Sequence, residues 1–382
     1  MTESHHLADV ASPDVASPDE NGPRVTGAQV VLPVDELDPT VNFFTKRLGF
    51  RVDAIYPADS PAVAVLSGHG LTLRLQPGDT ASAGALRVLC HDPAAFAEGT
   101  DVLIAPNGTR VELVDADAPM VLPPMEQSLV VSHLATNADW GTGRAGMQYR
   151  DIIPGRQGGR FIGSHIRIAE GGPVPDYVHY HKVRFQMIYC HRGWVKLVYE
   201  DQGEPFVLHA GDCVLQPPEI RHRVLESGDG LEVIELGCPA EHETLADHEI
   251  GLPTGRSDPD RDFDGQRFVR HHAATASWQP WRAVGFQFRD IGIGKATVGL
   301  AGVRVVRPAG AERTQPASHQ AEFMFGFVLR GTMSLECEGH ERFDLVEGDT
   351  FVVPEGLAHA WTECSADLEV LDVTLPEQIE LH

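Results

Sequence analysis

Short runs in which apolar and polar side chains alternate recur along most of the chain, and Gly or Pro closes nearly all of them. That period and punctuation predict half-buried β-strands. AVAVLSG and LTLRLQPG (62–68 and 71–78) are two such runs, and a shorter echo extends from ALRVLCHD to GTRVELVD, ending at Asp115. One early segment breaks the pattern. In QVVLPVDELDPTVNFFTKRLGFRVD a short apolar strand leads through Asp35 and Asp38 into a helix-period stretch closed by Gly49, which predicts a strand, a helix and a second strand in succession. Residues 1–25, with VASPD twice in tandem (Val10–Asp14, Val15–Asp19), hold too little apolar surface to offset the entropy of ordering and are expected to form a disordered tail.

Further along, GMQYRDI (Gly146–Ile152) recurs as GFQFRDI (Gly285–Ile291), 139 residues later. Gly193 and Gly331 keep a spacing of 138, and His222 and His359 one of 137. Such register, kept from Gly146 to His222 and from Gly285 to His359, predicts a tandem duplication, hence two similar β-barrels over 146–250 and 282–376. The polar, turn-rich stretches at 117–145 and 251–281 are expected to be linkers.

Composition narrows the function. Thirty basic against fifty-five acidic residues give a net charge of −25, which disfavours nucleic acid and anionic membrane surfaces as partners. No run approaches the roughly 20 apolar residues that cross a bilayer, and the start lacks a basic-then-apolar export pattern, so a cytoplasmic location is expected. Six widely spaced cysteines without a C-x-x-C pair predict reduced thiols.

The candidate chemistry lies in the first barrel. His179 and His181, two apart on a predicted strand, share a face; Gln186 and Gly193 follow, then Gly211, Pro217 and His222. Three imidazoles and an amide can then converge on one cation. These residues resemble the two motifs of the cupin family, whose first reads G, spacer, H-x-H, E, G and whose second reads G, five residues, P, spacer, H. The resemblance implies a mainly β fold with two tandem cupin (double-stranded β-helix, or jelly-roll) barrels. It also implies one divalent transition metal per chain on His179, His181, Gln186 and His222. Fe(II) is favoured, with Ni(II), Mn(II) or Zn(II) as options. Gln186 stands where the family has Glu, so the cation is expected to keep its full charge and to favour anionic ligands. Gln186 either coordinates through its oxygen or hydrogen-bonds a bound oxygen ligand. Glu226 is the candidate acid or base. Arg221 and Arg223 are expected to face away from the site by strand parity, and His242 and His248 to lie at the surface or an interface.

In the second copy Ala317 and Met324 replace two ligand positions, leaving His319 and His359 as a possible but incomplete second site, or an apolar pocket of Phe323, Met324, Phe325 and Trp361. Residues 26–116, with the closing phrase APNGTRVELVD, resemble the vicinal-oxygen-chelate (glyoxalase-like) family, a small α+β domain. The family's metal positions fall on Gln29, Arg74, Ala85 and Glu112; an Arg and an Ala there imply a degenerate domain without metal.

The resemblance to bicupins implies a metal-dependent enzyme, foremost a non-haem iron dioxygenase on a small enolisable, phenolic or hydroxy-acid compound. Two alternatives are a Zn- or Ni-dependent isomerase or lyase on a sugar acid or similar anion, and a non-catalytic ligand-binding cupin. The expected partner is a small anionic or enolisable substrate. A homodimer is expected as well, unless the two barrels of one chain pair with each other.

Overall fold

A computed structural model describes residues 28–56, 61–96, 100, 102–116 and 118–382; the expected tail at 1–25 lies outside them. The chain divides into two compact units, Met1–Pro119 and Met120–His382.

In the first unit, strand Val30–Val34 leads into helical turns over Leu37–Asn42 and Phe43–Arg47, followed by strands Arg51–Tyr56, Val63–Gly68 and Leu71–Pro77. Val30–Val34 pairs in parallel with Leu71–Pro77, so the first and last strands of the module are neighbours. A second sheet holds Ala85–Cys90, Arg110–Asp115 and Val102–Ile104. Phe44, Leu66, Leu73, Leu75 and Val111 share one core. The strand–helix–strand order expected from the sequence is present. The four positions that the resemblance assigns to metal do not form a cage. Gln29 and Ala85 are exposed, Arg74 donates to Gln76 Oε1 at 2.6 Å, and Glu112 pairs with Arg110.

The second unit is mainly β and contains both barrels. The middle barrel joins a seven-stranded sheet, centred on Phe185–Arg192, Leu231–Cys238 and Ile162–Ile168, to a sheet containing Trp194–Tyr199, His222–Ser227 and His179–His181. The C-terminal barrel repeats this with Phe323–Arg330, Glu369–Leu375 and Gly302–Pro308 facing Thr332–Cys337 and His359–Thr362. The large sheets of the two barrels pack against each other through one continuous core that includes Phe161, Met187, Leu236, Phe325, Phe327 and Val373. Phe161 stacks on Phe323 at 4.0 Å between ring centroids. Pairing of barrels thus takes place inside the chain.

The two expected linkers carry structure that periodicity did not reveal. Val130–Ser132 adds a strand beside Thr350–Val352, and Val269–His271 adds one beside Cys213–Leu215. Each covers a sheet edge that would otherwise expose unpaired main-chain groups. Both are tethered by the repeated Gly-Asp turn: Asp349 accepts from Leu134 N at 2.7 Å, and Asp212 from Ala273 N at 2.8 Å. Gly211 and Gly348 hold φ of 92° and 91°, a region where a Cβ is strained. The six cysteines are unpaired. Among the described residues no helix is long and apolar enough to cross a membrane.

Candidate metal centre

Antiparallel pairing places His179 directly opposite His222, and alternation along His179–His181 brings His181 to the same face. The three residues are buried, and one ring nitrogen from each lies within 4.8 Å of the others. Nitrogens sharing one ion at ~2.1 Å sit about 3–3.5 Å apart, so small rotations complete such a site. The opposite edge of each ring is anchored. His179 Nδ1 donates to the Tyr177 carbonyl at 2.8 Å and His222 Nδ1 to the Ile220 carbonyl at 3.0 Å. A carbonyl oxygen can only accept, so the Nδ1–H tautomer is fixed and Nε2 carries the lone pair. His181 Nδ1 meets the Thr244 hydroxyl at 3.0 Å.

The surroundings supply negative charge that motif spacing did not show. Asp176, buried, places Oδ1 at 3.7 Å from His179 Nδ1 while Oδ2 accepts from Val224 N at 2.9 Å. Glu235 lines the cavity beside the triad. The motif residues themselves are neutral, and the carboxyl groups of Asp176 and Glu235 stand beside them. Gln186 is buried and donates its amide N–H to Glu235 Oε1 at 2.5 Å. Its own Oε1 is buried without a hydrogen-bond partner among the described residues, as suits an acceptor reserved for a cation or a bound ligand.

Glu226 is not in this cavity. The pairing of His222–Ser227 with Trp194–Tyr199 shifts register between Lys196 and Leu197, so Val224 faces Leu197 while Glu226 faces Lys196. This bulge inserts Leu225 and changes the parity that four-residue spacing from His222 implied. Glu235 and Glu241 are the carboxylates that line the cavity, and Glu235 is the one bound to Gln186. Tyr199 was also missed. Its ring stacks on His222 with centroids 5.4 Å apart, its hydroxyl accepts from Gln216 Nε2 at 2.9 Å, and burial pushes its pKa well above the usual phenol value. His242, expected at the surface, lines the cavity with its ring 5.3 Å from that of His181. Because residues 239–243 form no strand, periodicity carried no signal for it. Arg221 turns outward as expected, pairing with Asp247 at 3.1 Å and lying over Tyr180. Arg184 binds Glu322 of the other barrel at 2.9 Å.

The C-terminal barrel gives a different result. His319 donates Nε2–H to the Val353 carbonyl at 3.1 Å and accepts from Ala321 N at Nδ1, 3.0 Å. Both ring nitrogens serve the main chain, so the possible site at His319 and His359 lacks a ligand atom on His319. Burial, with His359 nearby, pushes His319 down to about 4, which keeps it in that neutral tautomer. The apolar pocket considered there is also corrected. Phe323 and Phe325 face the core between the barrels, whereas Met324 and Trp361 fill the barrel interior.

Comparison with known proteins follows the same lines. The cupin domain model matches residues 164–235 and 303–374. A salicylate 1,2-dioxygenase from Pseudaminobacter salicylatoxidans superposes with a TM-score of 0.52 at 13% identity, covering 69% of this chain and 90% of that chain. The oxalate decarboxylase of Bacillus subtilis gives a TM-score of 0.48 at 12% identity, covering 69% of this chain and 79% of that chain. No curated protein matches the sequence. At 13% identity the likeness to the dioxygenase shows the fold alone, and that fold is a mainly β pair of tandem barrels of the cupin type, with the cupin model matching a segment of each.

Proposed function

We propose that the middle barrel is the active site of a metal-dependent enzyme, a non-haem iron dioxygenase acting on an enolisable, phenolic or hydroxy-acid compound. The observation that carries this reading is the triad: three buried imidazoles, two with Nδ1 held by a carbonyl and all three with a ring nitrogen turned to a common point. His179, His181 and His222 would hold the ion, with the Gln186 oxygen beside them. Bound there, Fe(II) would supply the electrophilic centre that acidifies a chelating hydroxyl and the redox couple that engages dioxygen.

The chain's own groups support that chemistry. The Tyr177 carbonyl orients His179, with the Asp176 carboxyl 3.7 Å from the same Nδ1. Glu235, held by the Gln186 amide, is positioned to take the proton of a substrate hydroxyl at its carboxylate oxygen. The Tyr199 hydroxyl, whose oxygen accepts from Gln216, has its own hydrogen to donate to a substrate oxygen. The aliphatic walls exclude water and strengthen these interactions. The same walls disfavour the polyhydroxylated anion of the isomerase reading. The N-terminal unit is proposed as a glyoxalase-like module without metal.

The test is elemental analysis of protein purified without added metal, together with oxygen uptake after Fe(II) loading. About one transition ion per chain is expected, lost in His179→Ala and His222→Ala. Ion retention in both variants overturns the site, whereas turnover that is equal with and without oxygen overturns the dioxygenase assignment.

A further inference from the structure

We propose that the compound processed in the middle barrel carries a bulky apolar body, alkyl or aryl, behind the oxygen atoms that meet the histidine triad. The proposal rests on the metal-enzyme reading above, which accounts only for the polar end.

A cavity of about 520 Å³ occupies the middle barrel, a size that takes a drug-sized ligand. Most of its polar groups gather at one end, Tyr149 and Arg167 excepted: Tyr199 pairs with His222, Gln216 bonds Tyr199, and Thr244 bonds His181. Away from that end the wall is made by Ile166, Ile168, Val195, Leu197, Leu231 and Val233. Val195 lies four residues from Tyr199 on one strand, so the aliphatic wall continues for about 13 Å beyond the triad. Arg167, which also borders the cavity, lays its guanidinium on the Trp140 ring at 3.9 Å and donates to Gln148.

The duplication shows that this hollow is not inherent in the fold. In the C-terminal barrel Leu335 pairs with Trp361, where the middle barrel pairs Leu197 with Val224. Phe351 lies over Gly326, so closely that a Cβ on that glycine would meet the ring at 2.2 Å; the corresponding pair in the middle barrel is Val214 with Ile188. Trp361 and Phe351 belong to the packed interior of the C-terminal barrel. The second pair exchanges Phe and Gly for Val and Ile without opening space, whereas the Trp361 ring that fills one copy is replaced in the other by Val224, which lines the cavity. Apolar voids are destabilising and their walls order water poorly, so the open copy is built for an apolar guest.

The interior carboxylates follow the same division. Asp372, at the position of Glu235, is bound by Arg282 at 2.8 and 3.0 Å. Glu235 has the neutral Gln186 amide as its partner and lines the cavity. A charged, polar end and a long apolar end thus occur in one chamber, as an amphipathic substrate requires.

The probe is a series of straight-chain carboxylic acids from four to twelve carbons, titrated calorimetrically into metal-free and Zn(II)-loaded protein. Affinity is expected to rise about fourfold per added methylene, the ~0.8 kcal/mol of burying one CH₂, and to level off once the cavity is full. The rise should occur in both forms of the protein, with metal shifting the whole series tighter. Val224→Trp, which installs the aromatic of the C-terminal barrel, should abolish the rise while metal content stays unchanged. Leu197→Phe provides a second reading by the same slope should the tryptophan variant not fold. Affinity independent of chain length in the metal-free protein, or a slope unchanged in a folded cavity-filling variant, overturns the proposal. A normal slope in protein that binds no metal supports the apolar cavity and overturns the metal-enzyme reading alone.

Discussion

Lowering the pH from 7 to 4.5 should unfold the two-barrel unit more readily, because buried histidines outside the metal centre stay neutral in the fold: His191, His271 and His319 are each lowered to about 4, and burial lowers His165 and His359 as well. The His191 side chain is only 5% exposed, and burial pushes it down to about 4. His271 is buried too, and burial, reinforced by the Arg289 charge, lowers it to about 4. In the unfolded chain all of these imidazoles titrate near 6.5. Between pH 4 and 6.5 the unfolded state therefore binds more protons than the folded one, so stability rises with pH across that window. The contribution is complete above about 6.5 and is lost as the pH falls toward 4. A separation of about 2.5 pH units at roughly 1.36 kcal/mol each sets a ceiling of ~3.4 kcal/mol per histidine. About 2–3 kcal/mol each is the working expectation by pH 4.5. Urea unfolding followed by tryptophan fluorescence is the assay, because Trp140, Trp194, Trp278, Trp281 and Trp361 all lie in this unit. His191→Asn should remove at most about a third of the slope between pH 6.5 and 5, a range above most carboxylate titration. A midpoint that is flat over this range, or a slope unaltered by the substitution, refutes the assignment of buried neutral imidazoles.

Two further substitutions separate chemistry from architecture. Glu235→Gln should keep the metal and lower turnover by about 10²–10⁴-fold, the range for a positioned acid or base, while Glu226→Gln should leave turnover unchanged; steady-state kinetics on metal-verified protein decides between them, and the opposite ranking would return the role to Glu226. His319→Ala should destabilise the protein by about 2–4 kcal/mol in urea, because it strands Ala321 N and the Val353 carbonyl in a buried site, yet metal content should not change. Loss of an ion in that variant would mean that the C-terminal barrel binds metal after all.

Much of this architecture was legible because it repeats. The recurrence of GMQYRDI as GFQFRDI placed two barrels in the chain, and the H-x-H spacing with His222 located a cluster that the strand register brings together. What failed was inference by counting along a strand. Glu226, the candidate acid or base four residues after His222, sits beyond one inserted residue in the pairing with Trp194–Tyr199 and does not line the cavity. Glu235 and Tyr199 sit on strands that no motif marks, and each reaches the site only through pairing set by distant segments. His242 and the strands at Val130–Ser132 and Val269–His271 fall in turn-rich text, where neither period 2 nor period 3.6 is expressed.

The two copies also show how little must change for one frame to yield a chamber and the other a strut. Both keep an interior carboxylate and a histidine at the head of the equivalent strand, His222 and His359. In the C-terminal copy Arg282 neutralises Asp372, the main chain occupies both nitrogens of His319, and Trp361 and Phe351 fill the space. In the middle copy Gln186 takes the place of Met324 and Val224 that of Trp361, so the carboxylate meets an amide and the interior stays hollow. The filled copy, packed through its large sheet on the hollow one, supplies a rigid wall behind strands Phe185–Arg192 and Leu231–Cys238. Rigidity of that kind keeps ligand side chains in place when the cavity beside them is empty. A burden of structure carried by one barrel is consistent with the freedom of the other to hold an open, reactive interior.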